Sequence, residues 1–528
     1  MILCGFAVST LDLDLFGYVR VKYGFVIDNR RCIGCHACTV ACKAEHEVPL
    51  GKFRTWVKNV EKGSFPDVRR YFTVLRCNHC DNAPCVTICP TRALFTRPDG
   101  IVDFDNEQCI ACRSCMAACP YDAIYIDPHT ETAAKCNYCA HKVEKGLEPA
   151  CVTVCPEEAI VAGDLDDPLS KISRLIATQQ ITVRKPEKGA LPKLYYIDGD
   201  MTSLTPGAAP KSTSYMWAER PPEEVDADFR ILSGTDRAQT TYDVAHEKPW
   251  GFLIPLYLWT KSLAAGPILV AALLMLMGYA RAPVLFGRVA PLMALVLTFI
   301  TTLLLIGDLE RPERFLKVLF HPNLRSWLVW GAYILILFSG IGMLWLFAGL
   351  VGSGPLLGLL LWPALILAAM TAGYSAFLLA QAKARDLWQS RLLFPHLIVQ
   401  AFLAGSAALA LASFYFESGR FLTDLLLRCL LVGLCVHGVL LLSEIALPHG
   451  NQDAAGAVQC MLQGPLARLF WFAAVFSGVA IPIHLLAFYF SDPSSGFAFP
   501  MLASALSLIG LLAFEDCYIR AGQAMPLT

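Results

Sequence analysis

Hydrophobic and polar positions follow two different patterns along the 528 residues of this chain. After residue 248 the apolar runs lengthen to about 20 residues, the length a helix needs to cross the hydrocarbon core of a bilayer. They predict eight spans, at 252–277, 284–306, 327–350, 356–380, 394–416, 424–446, 466–490 and 498–517. Before residue 248 the runs are short and rich in β-branched and aromatic residues. Phe25–Asp28, Ile101–Phe104, Ala123–Asp127 and Ala159–Gly163 read as strands flanking polar loops. Alternation between Lys43 and Arg76, around Trp56 and Tyr71, predicts a hairpin that covers the sheet or docks a partner, with no chemistry of its own. The pattern as a whole predicts an α+β domain followed by an all-α polytopic membrane domain of eight transmembrane helices.

Charge sharpens that division. Residues 1–248 hold 29 Lys/Arg and 33 Asp/Glu, and residues 249–528 hold 14 and 11. A net charge of -1 and the lack of a basic cluster give no sign of nucleic-acid binding. The expected organisation is an N-terminal extension at 1–20, a cysteine-rich domain at 21–200, a linker at 201–248 and the membrane domain at 249–528. Met1–Arg20 has no basic n-region and no twin arginines, and Asp12 and Asp14 break its apolar run, so it does not read as a targeting signal. A start near Val21 would suit the domain better. Thr205–Val225, rich in Pro, Ala, Ser and charge, reads as a surface-running connection.

The polar loops of the first half carry the chemistry. Sixteen of the 21 cysteines lie between Cys32 and Pro156, in four groups of four. They are Cys32, Cys35, Cys38 and Cys42; Cys77, Cys80, Cys85 and Cys89; Cys109, Cys112, Cys115 and Cys119; and Cys136, Cys139, Cys151 and Cys155. Three thiolates at three-residue intervals let one loop wrap a cuboidal iron–sulfur cluster, and the fourth cysteine of such a run ligates the other cluster of a pair. Sixteen ligands suit four [4Fe–4S] clusters, which makes the first domain a tandem ferredoxin-like iron–sulfur domain. Structural zinc also takes four thiolates, but three cysteines within seven residues fit it poorly. Of the five remaining cysteines, Cys429, Cys435, Cys460 and Cys517 lie in or beside apolar spans and read as small buried hydrophobes, while Cys4 falls in the extension.

The order and gaps of these groups resemble the electron-transfer subunit of the dimethyl-sulfoxide-reductase family of molybdenum enzymes, with Arg184–Glu187 through Leu194–Ile197 similar to its closing segment. The resemblance implies that Cys32, Cys35, Cys38 and Cys155 hold one cluster and that Cys42, Cys136, Cys139 and Cys151 hold its neighbour. It assigns Cys77, Cys80, Cys85 and Cys119 to a third, and Cys89, Cys109, Cys112 and Cys115 to a fourth. It also implies a catalytic molybdopterin partner (Mo or W) near the first and fourth groups, with the second and third facing the membrane. In the second half, Leu263–Gly266, Asp308–Phe315, His321-Pro322-Asn323 and Ser326 resemble the polysulfide-reductase-type (NrfD-like) membrane anchor. That family spans the membrane eight times, lacks haem and exchanges electrons with quinones.

Ionisable residues within spans are functional candidates by default. Counted at 1.5 Å per residue from the cluster side, Lys261 and His437 lie about 13 Å deep, Tyr374 about 9 Å and Glu444 about 3 Å, with Asp308 and His396 near the boundary. Lys261, Asp308, Tyr374, His396, His437 and Glu444 are therefore expected to converge on one quinone and proton site, His396 near enough to the boundary to be solvated. His437 and His484 differ in depth by about 14 Å, too much for two ligands of one haem, so no haem is expected.

No dinucleotide fingerprint or haem-attachment motif occurs, so substrate catalysis is assigned to a separate subunit, and quinone chemistry is the one reaction expected of this chain. The reading is an electron-transfer and membrane-anchor subunit that links the quinone pool to a molybdopterin oxidoreductase. An ion-translocating respiratory subunit and a redox-inactive zinc-binding scaffold are the alternatives. Eight spans put both termini on one side. Loops on the cluster side carry Arg311, Arg314, Lys317, Arg325, Lys383, Arg385, Arg391 and Arg468, against Arg281, Arg288 and Arg420 opposite. The positive-inside rule then predicts an inner-membrane protein with a cytoplasmic cluster domain.

Overall fold

The computed structural model describes residues 21–210, 238–279, 283–416, 419–492 and 496–528. The expected extension and Cys4 lie outside these residues, as do most of the linker and Arg281.

The cysteine-rich domain is built on a four-stranded sheet in the order Ile160–Asp164, Tyr23–Asp28, Leu194–Ile197, Ile181–Thr182. Tyr23–Asp28 pairs antiparallel with Ile160–Asp164 and parallel with Leu194–Ile197. Its centre is buried on both faces, which explains the near-continuous apolar sequence Phe25-Val26-Ile27. Two short ribbons, Leu94–Thr96 with Val102–Phe104 and Ile124–Asp127 with Thr132–Lys135, follow the second and third cysteine groups. The hairpin forms as Thr55–Ser64 paired with Asp67–Arg76.

The linker expected at 201–248 is partly built into this domain. Met201–Leu204 is a helical turn capped by the Asp200 side chain, and Ala238–Tyr242 adds a third strand to the hairpin. Ala238 and Thr240 point inward at alternate positions, a period-two signal too short to stand out between polar neighbours.

Eight helices among the described residues are long and apolar enough to cross a membrane: Leu253–Leu276, Leu285–Gly307, Trp327–Val351, Gly354–Gln381, Leu393–Phe416, Arg420–Ala446, Leu469–Ser491 and Ala498–Gly522. The first is the centre of the bundle, 83% buried along its most apolar stretch, whereas the second and seventh are 28% buried and form its outer face. Small residues set the closest crossings. Gly266 of the first span lies directly on the backbone of Ala401 and Gly405 of the fifth, so a side chain at either glycine would collide with main chain. This contact gives Leu263–Gly266 a packing role.

The cysteine-rich domain docks on the bundle through its second and third cysteine groups. The Asn323 side chain donates to the carbonyl of Cys89 at 2.8 Å, and Ser326 Oγ donates to that of Ile88 at 2.6 Å. Arg314 reaches the carbonyls of Asn106 at 2.7 Å and Cys109 at 3.1 Å, and Arg311 that of Thr130 at 2.9 Å. Lys317 donates to the Glu107 carbonyl, and Arg113 pairs with Glu310. The segment from Asp308 to Ser326 is thus a docking strip, and Arg311, Arg314 and Lys317 of the positive loops serve the domain contact. The C-terminus completes the seam, with Arg184 donating to the Leu527 carbonyl at 2.9 Å and Arg385 to that of Met525 at 3.0 Å.

Candidate functional site

The cysteine loops turn through left-handed backbone conformations at His36, His79, Arg113 and Cys139, with φ of 60°, 43°, 57° and 51°. At Gly34, φ is +69° and the Phe72 ring occupies the place a Cβ would take, so this position needs glycine. The turns gather cysteines from distant groups. Cys32, Cys35, Cys38 and Cys155 line one small pocket, and Cys89, Cys109, Cys112 and Cys115 line a second. Cys136, Cys139 and Cys151 are the thiols beside Cys42, and Cys77, Cys85 and Cys119 those beside Cys80.

Buried polar atoms near these thiols test whether a cofactor fits. Arg76, 1% exposed, donates from Nη1 to Cys151 Sγ at 3.0 Å and lies over the Phe25 ring at 4.5 Å. Its Nε and Nη2 have no hydrogen-bond partner among the described residues, nor does Nε2 of His79, also 1% exposed. Orphaned donors beside cysteine quartets fit the sulfide acceptors of iron–sulfur clusters. His46 Nε2 lies 3.1 Å from Cys139 Sγ. The hairpin therefore does carry a residue of the site: Arg76 ends its second strand and shares a face with Phe72 and Val74, a period-two placement readable in the sequence.

Beneath the third group, between it and the first four spans, lies an apolar cavity of about 450 Å³. Cys112, Trp250, Tyr257, Asp308, Tyr374 and Ser375 are among its walls. The Trp250 indole donates to the Cys112 carbonyl at 3.3 Å and stacks on Trp388 with centroids 5.2 Å apart. Tyr257 and Tyr374 hydrogen-bond through their hydroxyls, and Tyr257 Oη also reaches Ser375 Oγ at 3.1 Å. The Tyr374 ring lies where a side chain on Gly331 would be. Lys261, fully buried, stands one residue behind the wall and donates to Ser375 Oγ at 2.7 Å and the Ala372 carbonyl at 2.8 Å. Burial pushes the Asp308 carboxyl, just beyond the second span, up to about 6, where it exchanges protons close to neutrality.

The six candidates do not share one cavity. Asp308 and Tyr374 line it and Lys261 backs it. His396 and His437 instead hydrogen-bond each other, Nε2 to Nδ1 at 2.9 Å, and pack on Phe514 with centroids at 5.0 and 5.4 Å. His396 is 2% exposed, not solvated, because His437 of the sixth span and Phe514 of the eighth pack on its ring. Glu444 accepts from Ser390 Oγ at 3.0 Å in a separate polar pocket of about 480 Å³. Depth counted along a helix misplaced the histidines because the fifth and sixth spans are staggered. Tyr257, Ser375 and Trp250 escaped the sequence reading, although Tyr257 lies four residues before Lys261, on the same helix face.

An eight-helix membrane domain carrying an iron–sulfur electron-transfer region on one end defines a class of redox-complex subunit. Residues 240–526 match the family model described as polysulphide reductase, NrfD, and residues 68–165 match a 4Fe-4S dicluster domain. This protein belongs to the polysulphide reductase NrfD family, with an iron–sulfur region of reductase type fused ahead of the membrane domain. That region is 45% identical over 194 residues to a subunit of the tetrathionate reductase of Salmonella typhimurium, a match covering 36% of this chain and 78% of the relative. It is 42% identical over 181 residues to one chain of the polysulfide reductase of Wolinella succinogenes, covering 33% and 94%. It is 38% identical over 258 residues to a putative dimethyl sulfoxide reductase iron-sulfur subunit of Halobacterium salinarum, covering 43% and 96%.

Proposed function

We propose that this chain carries electrons between the membrane quinone pool and a partner molybdopterin oxidoreductase, through four [4Fe–4S] clusters on the cysteine quartets named above. The observation that carries the reading is the shared wall at Cys112, which belongs both to a cysteine quartet and to the apolar cavity. A quinone ring and the first part of its tail suit that cavity in size and polarity. Each cluster, when bound, supplies reversible one-electron transfer. Trp250 and the docking strip hold the Cys112 loop against the cavity. Tyr257 and Tyr374 present hydroxyls to the ring oxygens, and Lys261 fixes Ser375 behind them.

Cysteines at three-residue intervals, with the unpartnered donors of Arg76 and His79 beside them, support clusters over zinc. The first group supports a partner face: Cys35 is exposed, and Ile33 and Val40 beside it are 56% and 65% exposed. The relatives' names supply the partner class, a reductase with further subunits.

Purified protein reduced by a quinol should show the EPR signals of interacting [4Fe–4S] clusters and contain about sixteen irons per chain. Zinc in place of iron, or clusters that dithionite reduces and quinol does not, would overturn the reading. For sidedness, Arg325, Lys383, Arg391 and Arg468 remain on the cluster-side loops after docking is set aside, against Arg281, Arg288 and Arg420 opposite, a small excess that supports a cytoplasmic cluster domain. Protease added outside intact spheroplasts should leave that domain uncut, and cleavage would reverse the assignment.

A further inference from the structure

Glu515 lies in the last span, 3% exposed, and neither carboxylate oxygen has a hydrogen-bond partner among the described residues. A carboxyl left alone in the middle of a membrane bundle is costly and asks for a function. The last span packs against the first and the fifth. From the first span Glu515 faces Lys261 and Tyr257, which feel its charge. Its neighbour Phe514 packs on His396 and His437 of the fifth and sixth spans and shares a buried cluster with Tyr257 and Tyr374. On its own helix Asp516 and Tyr518 follow, with Asp516 turned to Arg520 at 3.1 Å and Tyr518 donating to the Leu387 carbonyl at 2.9 Å.

Glu515 thus follows the residue that packs on the histidine pair, in a span that also packs on the first, and two polar groups that otherwise do not meet flank that span. On one side Lys261, Ser375, Tyr257 and Tyr374 form a hydrogen-bonded set ending at the cavity. On the other, His396 is bonded to His437, and Glu444 lies seven residues after His437 on the same helix face, opening on the polar pocket. Resting on the quinone reading above, we propose that Glu515 is the relay that joins the quinone cavity to the histidine pair, so that the protons of quinone chemistry exchange through Glu444 on the cluster side of the membrane. In quinol oxidation two O–H bonds break. Both electrons would leave, one at a time, for the centre that Cys89, Cys109, Cys112 and Cys115 would hold. The two protons pass in turn onto the Glu515 carboxylate, then to the histidines and out at Glu444. Quinone reduction draws two protons in by the same residues.

The test measures quinol oxidation by the full-length protein, with ferricyanide as final acceptor, in Glu515→Gln, Glu515→Asp and Glu444→Gln. Expected for E515Q is a fall in kcat of about a hundredfold, the scale of one proton-transfer group, with KM unchanged, a larger solvent isotope effect and a wild-type EPR spectrum after dithionite. E515D should recover part of the rate, and E444Q should show the same isotope effect more weakly. Wild-type kcat and isotope effect in both glutamine variants would overturn the relay while leaving the quinone site standing. A wild-type protein that quinol cannot reduce would instead remove the quinone reading itself. Should E515Q fail to assemble, E444Q decides alone, because glutamine keeps the size of Glu444 and the acceptor for Ser390 Oγ.

Discussion

Replacing Cys112 with alanine is expected to sever the quinone from the rest of the electron path. Cys112 is the one cysteine shared by a quartet pocket and the apolar cavity among the described residues. Its loop is fixed from below by the Trp250 indole at 3.3 Å and by the Arg113–Glu310 pair. A quartet reduced to Cys89, Cys109 and Cys115 loses the ligand nearest the cavity. Quinol should then reduce the remaining clusters no faster than background, while dithionite, which enters from solvent, reduces them fully. The check is paired: EPR after quinol and EPR after dithionite on one preparation. Cluster reduction by quinol at the wild-type rate would mean that electrons enter elsewhere, and the cavity at Cys112 would lose its role. Trp250→Phe keeps the stacking surface and removes the donor, and it should slow entry without removing any signal.

The second large effect is expected at Arg76. A buried guanidinium 3.0 Å from Cys151 Sγ stabilises whichever state of the neighbouring centre carries more negative charge, which is the reduced one. At about 5 Å and an effective dielectric of about 20 that interaction is about 3 kcal/mol, on the order of 100 mV for a single electron. Arg76→Gln should therefore lower the potential of the Cys42, Cys136, Cys139 and Cys151 centre by that order. The centre on Cys32, Cys35, Cys38 and Cys155 should shift less, since Cys38 is the one of its ligands that Arg76 acts on. The cavity-side centres should hold their potentials. EPR-monitored potentiometry separates the cases: an unchanged midpoint would reduce Arg76 to a packing residue. Arg76→Lys keeps the charge and should restore most of the potential, while losing the fixed geometry of the guanidinium.

Some of this architecture was legible in residue order alone, because the information is local. Cysteines at three-residue intervals in one loop can reach one centre whatever surrounds the loop. An apolar run of about 20 residues commits a helix to a bilayer before any neighbour is known. Phe25–Asp28 and Ile160–Val161 declared strands for the same reason. The eight spans accordingly end within a few residues of their expected positions. The segment at 201–248 read less well: the strand Ala238–Tyr242 is held by pairing with Thr55–Ser64, almost 180 residues earlier, and its five residues are too few to declare a strand between polar neighbours.

The polar residues of the spans show where residue order stops. Counting along a helix gives depth but not azimuth, and spans apolar on every side offer no stripe from which to read it. Depth grouped Lys261 with His437. Packing put Lys261 against Ser375 of the fourth span and His437 against His396 of the fifth, with Phe514 of the eighth on the histidine pair. Arg76 is a similar case, a charge in a hairpin whose partner thiol lies 75 residues away. By itself the sequence determined that electrons pass through cysteine-bound iron and that the protein is embedded in a membrane, since both follow from spacing within one segment. Only the tertiary structure decided where the two meet, at Cys112, and which side chains face the cavity. Those depend on contacts between helices whose sequences do not specify which neighbour each face will find.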